Sequence, residues 1–104
     1  MLCANTSSIM RVISRRRIVE FVRVHPRAKA SLEQWYQVTR HATWQSLADV
    51  KRTYPHADLV GRRTVFNIGG NRFRLIARIN YRRQIVFILA IVTHEEYDKG
   101  AWKQ

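Results

Sequence analysis

An α+β domain is predicted, with helices in the first half of the chain and a small, mostly antiparallel sheet in the second. Apolar residues recur at i, i+3 and i+4 up to about residue 54, and from residue 59 the period shortens to two. Between two alternating segments stands the pair Gly69-Gly70, which marks a β-hairpin. The expected order is β-α-α-(α)-β-β-β, with the helices packed on one face of the sheet.

The elements follow in order. MRVIS at 10–14 is short and partly β-branched, the mark of a strand. RRRIVEFVRVH then sets Ile18, Phe21, Val22 and His25 at helical spacing, and Pro26 stops or bends that helix because it has no N–H to continue the ladder. In RAKASLEQWYQVTRHA, Leu32, Trp35 and Tyr36 form an aromatic stripe that a second helix would turn toward the core. SLAD at 46–49 matches the Ser-x-x-acid capping pattern, so a short third helix should begin there and end before Pro55.

TVFNI and RFRLIARIN form the two arms of the hairpin, with Asn71 beside the glycines in its turn. After the polar corner NYRR, the run QIVFILAIVT is almost wholly apolar and is expected to be a strand buried on both faces in the middle of the sheet. In THEEYDK at 93–99, Thr93 and Glu96 again match a capping box, so the last strand should feed directly into a helical turn.

At 104 residues and 12.3 kDa the chain fits one domain, placed at 10–104 with residues 1–9 as a flexible leader or alternative start before Met10. Hydrophobic residues make up 46%, enough to exclude a disordered chain. The single cysteine, Cys3, excludes a disulfide framework and makes a reducing cytoplasm the simplest expectation. The longest apolar run, at 85–92, falls far short of the ~20 residues of a membrane helix, so no membrane partner is expected.

The formal charge is +12, from nineteen Lys and Arg against seven Asp and Glu. Lysine occurs only at 29, 51, 99 and 103; the remaining cations are arginines, whose planar fork holds phosphate bidentately. Nucleic acid is therefore the expected partner. Side chains alternate across a strand, so Arg72, Arg74, Ile76, Arg78 and Asn80 should share one face, opposite Phe73, Leu75, Ala77 and Ile79. Same-side residues stand ~6.5–7 Å apart, close to the phosphate spacing of a nucleic acid strand, so the row is expected to act as a backbone cradle.

His94 and Tyr97 lie three apart on the predicted closing helix. An imidazole and a phenol beside an arginine row suit phosphodiester cleavage, in which a ribose 2′-hydroxyl attacks the adjacent phosphate with help from a base, an acid and positive charge. His94 suits the proton transfers near neutral pH, whereas guanidinium supplies charge but no proton traffic. Which of His94 and Tyr97 is the acid stays open at this level. No metal or other cofactor is expected: His25, His41, His56 and His94 form no close pair in sequence, and no HExxH or acidic cluster occurs. A nucleophilic Ser or Cys motif is also lacking.

The stretch VFNIGGNRFRLIARINYRRQIVFILAIVTHEEYDKGAWK, residues 65–103, resembles the C-terminal half of the HigB toxins, RelE-like mRNA interferases of type II toxin–antitoxin systems. The resemblance rests on FNIGGNRFRLIA and THEEYD at the right separation, and extends more weakly through SLADVKRTYPHAD toward residue 10. It implies a RelE-like fold, cleavage of mRNA on the ribosome without metal, and neutralisation by a HigA-type helix-turn-helix antitoxin, with operator DNA bound only through the antitoxin complex. Carried over by position, Arg74, His94 and Tyr97 are the expected catalytic residues. Arg72, Arg78, Asn71, Arg62, Arg63 and Lys99 are the expected RNA contacts, although turn chemistry already accounts for Asn71. Asp98 is expected to orient or neutralise a neighbouring cation. One departure stands out: many relatives of this kind carry a basic residue in the last strand where this chain has Leu89, so that one phosphate-facing charge is missing, supplied by Arg72, or compensated elsewhere. That departure favours a competing reading, an RNA- or ribosome-binding inhibitor that does not cut.

Overall fold

A computed structural model describes residues 10–100. The expected residues 1–9 leader lies outside them. Strand β1 (Arg11–Ile13) leads into helix α1 (Arg16–Val24), which ends in a single 3-10 turn at Pro26–Ala28 before α2 (Lys29–Arg40) and α3 (Leu47–Thr53). Strands β2 (Asp58–Val60), β3 (Arg63–Ile68), β4 (Phe73–Asn80) and β5 (Ile85–Thr93) then complete the sheet, and α4 (His94–Lys99) closes the described chain.

Five strands pair in the order β1-β5-β4-β3-β2, all antiparallel except the β1–β5 pair. The α+β layout matches the sequence expectation, with one strand added. That strand, β2, has only three residues, too few to show a period in the sequence. The expected place of the apolar run is corrected: β4 is the middle strand, and β5 lies between it and the short parallel β1. Along β5 only Val86 and Ile88 are buried, while Phe87 stays 37% exposed, so the run is covered fully on one face only.

The core lies between α1–α3 and one face of the sheet. Phe66 of β3 is its centre, with the rings of Trp35, Trp44 and Tyr54 at 5.4, 6.1 and 5.3 Å. Leu32, Trp35 and Val50 contribute their helical stripes, and Ile68, Leu75, Ala77, Val86 and Ile88 contribute the inward side of the pleat. Truncating a ring so enclosed, as in Phe66→Ala, removes both transfer energy and packing, a cost of about 3–5 kcal/mol.

Two capping patterns behave differently. Thr93 Oγ accepts from the Glu96 N–H at 3.1 Å and Glu96 returns to the Thr93 N–H at 2.9 Å, which starts α4 immediately at the end of β5. At α3 the box does not form: Asp49 accepts from the N–H of Gln45, one residue before the N-cap, at 2.9 Å, and the Ser46 hydroxyl makes no capping bond.

Candidate active site

The hairpin turn brings the sequence-predicted residues to one end of the sheet. Gly69 and Gly70 adopt φ of +63° and +70°, a left-handed pair in which a side chain at either position would be strained. The turn presents Asn71 and Arg72, both exposed, before Phe73 pairs with Ile68. Because Phe73 also pairs with Thr93, the end of β5 and the start of α4 lie beside this turn. The His94 backbone N–H donates to the Arg72 carbonyl at 2.8 Å, which ties the closing helix to the hairpin.

Arg74 is only 8% exposed. Its guanidinium donates to the Asn71 carbonyl at 3.2 Å, the Phe73 carbonyl at 3.3 Å and the Asn71 side-chain oxygen at 2.7 Å, and lies 5.5 Å from the Tyr97 ring centre. Three of five N–H groups therefore hold the turn. Since Arg74 points away from the core face, the Tyr97 contact puts this side of α4 on the sheet face opposite α1–α3. Asn71 is engaged as the acceptor that fixes Arg74, while the left-handed angles of the turn come from Gly69 and Gly70 and not from Asn71.

Tyr97 is partly covered, and burial pushes its phenol above the ordinary tyrosine range; Asp58 pushes the same way, Arg74 pulls it back in part, and Asp98 adds a further push upward. The phenol is thus protonated at neutral pH. His94 Nδ1 lies 3.4 Å from the Asp98 carboxylate, one helical turn along, without the alignment of a hydrogen bond. That nitrogen is shielded from solvent, while the side chain as a whole is 43% exposed. Among the described residues no three His, Cys, Asp or Glu side chains gather to hold a metal ion.

The continuous arginine row is corrected. Arg72 lies in the turn, Arg74 is buried, and Ile76 between Arg74 and Arg78 is 1% exposed, so no open line of guanidinium runs along β4. Arg78 instead belongs to the far end of the strand, six residues or about 20 Å from Arg72. There it lines an open groove of about 620 Å³ with Asn80, Tyr81, Arg82, Phe87 and Leu89. Arg62 and Arg63, in and after the β2–β3 turn, also lie at this end, whereas Lys99 is exposed on the last turn of α4. Leu89 is the extra residue of a β-bulge: Ile76 pairs with Ala90 and Ala77 with Ile88. Arg72 is too distant to replace a charge at Leu89; Arg78 is the guanidinium beside it.

Sequence reasoning missed two neighbours of this site. Asp58, on β2, acts on the Tyr97 phenol from across the sheet. His25, read only as a helix-phase residue, packs its ring 5.7 Å from Phe73, at the base of the hairpin. Neither had a local signal, because each reaches the site through a strand or helix remote in sequence.

Comparison with known proteins agrees with this architecture. A family model described as HigB toxin, the RelE-like toxic component of a toxin-antitoxin system, matches residues 28–100. The mRNA interferase HigB of Escherichia coli O6:H1 (strain CFT073) is 30% identical over 93 residues, covering 86% of this chain and 90% of that protein. The mRNA interferase toxin HigB of Escherichia coli K12 and the mRNA interferase HigB of Shigella flexneri are each 25% identical over 92 residues, covering 86% of this chain and 88% of theirs. No helix among the described residues is long and apolar enough to cross a membrane. With a match across most of its length, and with the hairpin and closing helix joined as described, the chain belongs to the HigB toxin family.

Proposed function

We infer that the chain is an mRNA interferase that cleaves ribosome-bound message by 2′-hydroxyl attack, and that its site is the hairpin end of β4 with α4. The observation that carries this reading is the junction of the two motifs: His94 bonded through its backbone to Arg72, and Tyr97 lying over Arg74. The names of the relatives support the same activity.

In this mechanism the Nε2 of His94 takes the proton of the 2′-hydroxyl, and the freed oxygen attacks phosphorus. The bond to the 5′ oxygen breaks, and the protonated phenol of Tyr97 gives its proton to that leaving oxygen. Its raised pKa suits Tyr97 to the acid role and leaves the base role to His94. Arg72, exposed beside the turn, faces the charge that builds on the phosphate, and Arg74 adds charge from a desolvated position where it is weakly screened. The partners that fit are mRNA and an antitoxin of the HigA type with a helix-turn-helix domain, through which operator DNA would be reached; the cytoplasm is where such partners meet.

Primer extension on message in a translating extract tests the reading. New 5′ ends are expected with the wild-type chain and are expected to vanish with His94→Ala; naked message should be cut far less. Equal cutting by the variant would reject the assigned base. The groove where Arg78 and Arg82 stand beside Leu89 and Phe87 favours a second reading, an RNA binder that stalls translation without cutting, and growth arrest with intact message would select it.

A further inference from the structure

We propose that the corner where α1 meets the hairpin is a second RNA subsite, in which Arg27 holds the phosphate of a nucleotide flanking the cut, Arg72 stands between it and the cleaved phosphate, and His25 stacks on the flanking base. This rests on the reading of the hairpin end as an RNA-cleaving site.

Pro26 ends α1 and starts the Pro26–Ala28 turn, so the chain swings outward just after His25. The His25 imidazole is not a loose surface group. It stacks on Phe21 with centres 4.5 Å apart and planes 29° apart, and lies 5.7 Å from the Phe73 ring, which in turn meets Phe21 edge-on at 5.5 Å. Two aromatic rings therefore hold the imidazole in place, which lowers the ordering cost of stacking a base on it. Beside it opens a groove of about 420 Å³ lined by Val24, His25, Pro26, Arg27, Arg72 and Phe73. That volume lies within the range of small-ligand sites, about 300–1,000 Å³.

The charge of this groove is of one sign. No carboxylate lines it, and among the described residues neither Arg27 nor Arg72 makes an ion pair, although both are exposed. Two unpaired guanidiniums beside a fixed ring are the combination by which proteins hold single-stranded nucleic acid: charge for the backbone and a flat face for the base. Position gives the register. The Arg72 carbonyl receives the His94 N–H, so the groove begins one backbone hydrogen bond from the proposed base, on the other side of the hairpin from Tyr97. An RNA strand leaving the cleavage point past Arg72 would enter it.

The test uses the whole chain and a fluorescein-labelled, fully 2′-O-methylated single-stranded RNA of about ten nucleotides, which cannot be cut by 2′-hydroxyl attack. Anisotropy titrations compare the wild type with Arg27→Ala, His25→Ala, His25→Phe and Lys51→Ala, the last removing an exposed charge on remote α3. Arg27→Ala and His25→Ala are expected to weaken binding by about tenfold. His25→Phe, which keeps a flat ring, should stay near wild type and shows that the fold is intact. Arg27→Ala should also lower the slope of log K against log salt by about 0.7, the loss of one single-strand phosphate contact, while Lys51→Ala leaves it unchanged. If Arg27→Ala and His25→Ala bind as Lys51→Ala does, the subsite is overturned. The two proposals fail separately: wild-type protein that binds this RNA with the expected pattern but cuts no message sinks cleavage alone, and wild-type cutting with unaltered binding by the variants sinks the subsite alone.

Discussion

At the hairpin end of β4, Arg74 is buried, bonded three times to the turn and covered by Tyr97; at the other end Arg78 stands exposed beside Phe87 and Leu89. The two arginines belong to the same strand and, by spacing, to the same face. What separates them is what the rest of the chain brings alongside. The capped start of α4 delivers a phenol, an imidazole and the Asp98 carboxylate to the first, while the bulge at Leu89 delivers only apolar surface and a shifted register to the second. A repeated residue type along a strand thus has two settings: on the proposed reading the end that meets the imidazole and phenol of α4 cuts, and the end at Leu89, where Tyr81 and Arg82 share the groove, binds.

The largest expected difference between the ends is in cleavage. His94→Ala should lower the cutting rate by about 100-fold or more, the usual contribution of a general base, with an unchanged melting temperature because the side chain is half-exposed. Arg78→Ala should not approach that loss in the same translating-extract assay; if it does, the division of the strand into two roles is wrong.

Next in size is stability. Arg74→Ala leaves the Asn71 and Phe73 carbonyls without their charged donor and should cost about 2–3 kcal/mol in denaturant unfolding. Arg74→Lys should recover little of this, since an ammonium cannot reproduce the fork that reaches two carbonyls and a side-chain oxygen. Urea midpoints that match the wild type in both variants would show that the guanidinium does not hold the turn.

A smaller effect is expected at high pH. Burial raises the phenols of Tyr54, Tyr81 and Tyr97 above their unfolded value of about 10. The folded state therefore binds those protons more tightly, so their contribution is fully kept below about pH 10 and is lost as pH rises from there toward the folded values. Melting temperature should fall above that point, and Tyr54→Phe should flatten the fall. A profile that is level through pH 11, or unaffected by the substitution, would contradict the assigned environments.

The smallest effect belongs to the far end itself. Arg78→Ala should weaken RNA binding only a few-fold and lower the salt slope by about 0.7. Leu89→Arg, which places a second cation beside Arg78, should raise both; no gain would mean that RNA does not pass over this groove.

Much of this fold could be read locally. The stripes of Leu32, Trp35 and Val50, the Gly69-Gly70 turn and the Thr93–Glu96 box are patterns complete within a few residues, and each formed as expected. The features that were not readable depend on partners distant in the chain. Nothing within RFRLIARIN tells that Arg74 and Ile76 will be covered. The unbroken apolar run IVFILAIVT does not show the bulge at Leu89, because a bulge is a property of two paired strands. His25 likewise looked like one more apolar-face residue of α1 until the sheet placed Phe73 and Arg72 beside it.

The chemistry of the cut ends tests the central claim most directly. Message recovered from a translating extract should carry 2′,3′-cyclic phosphate on the upstream fragment and a free 5′-hydroxyl on the downstream one, and His94→Ala should produce neither. Fragments bearing 5′-phosphate, or the same ends at the same rate from the His94 variant, would contradict 2′-hydroxyl attack driven from the hairpin end of β4.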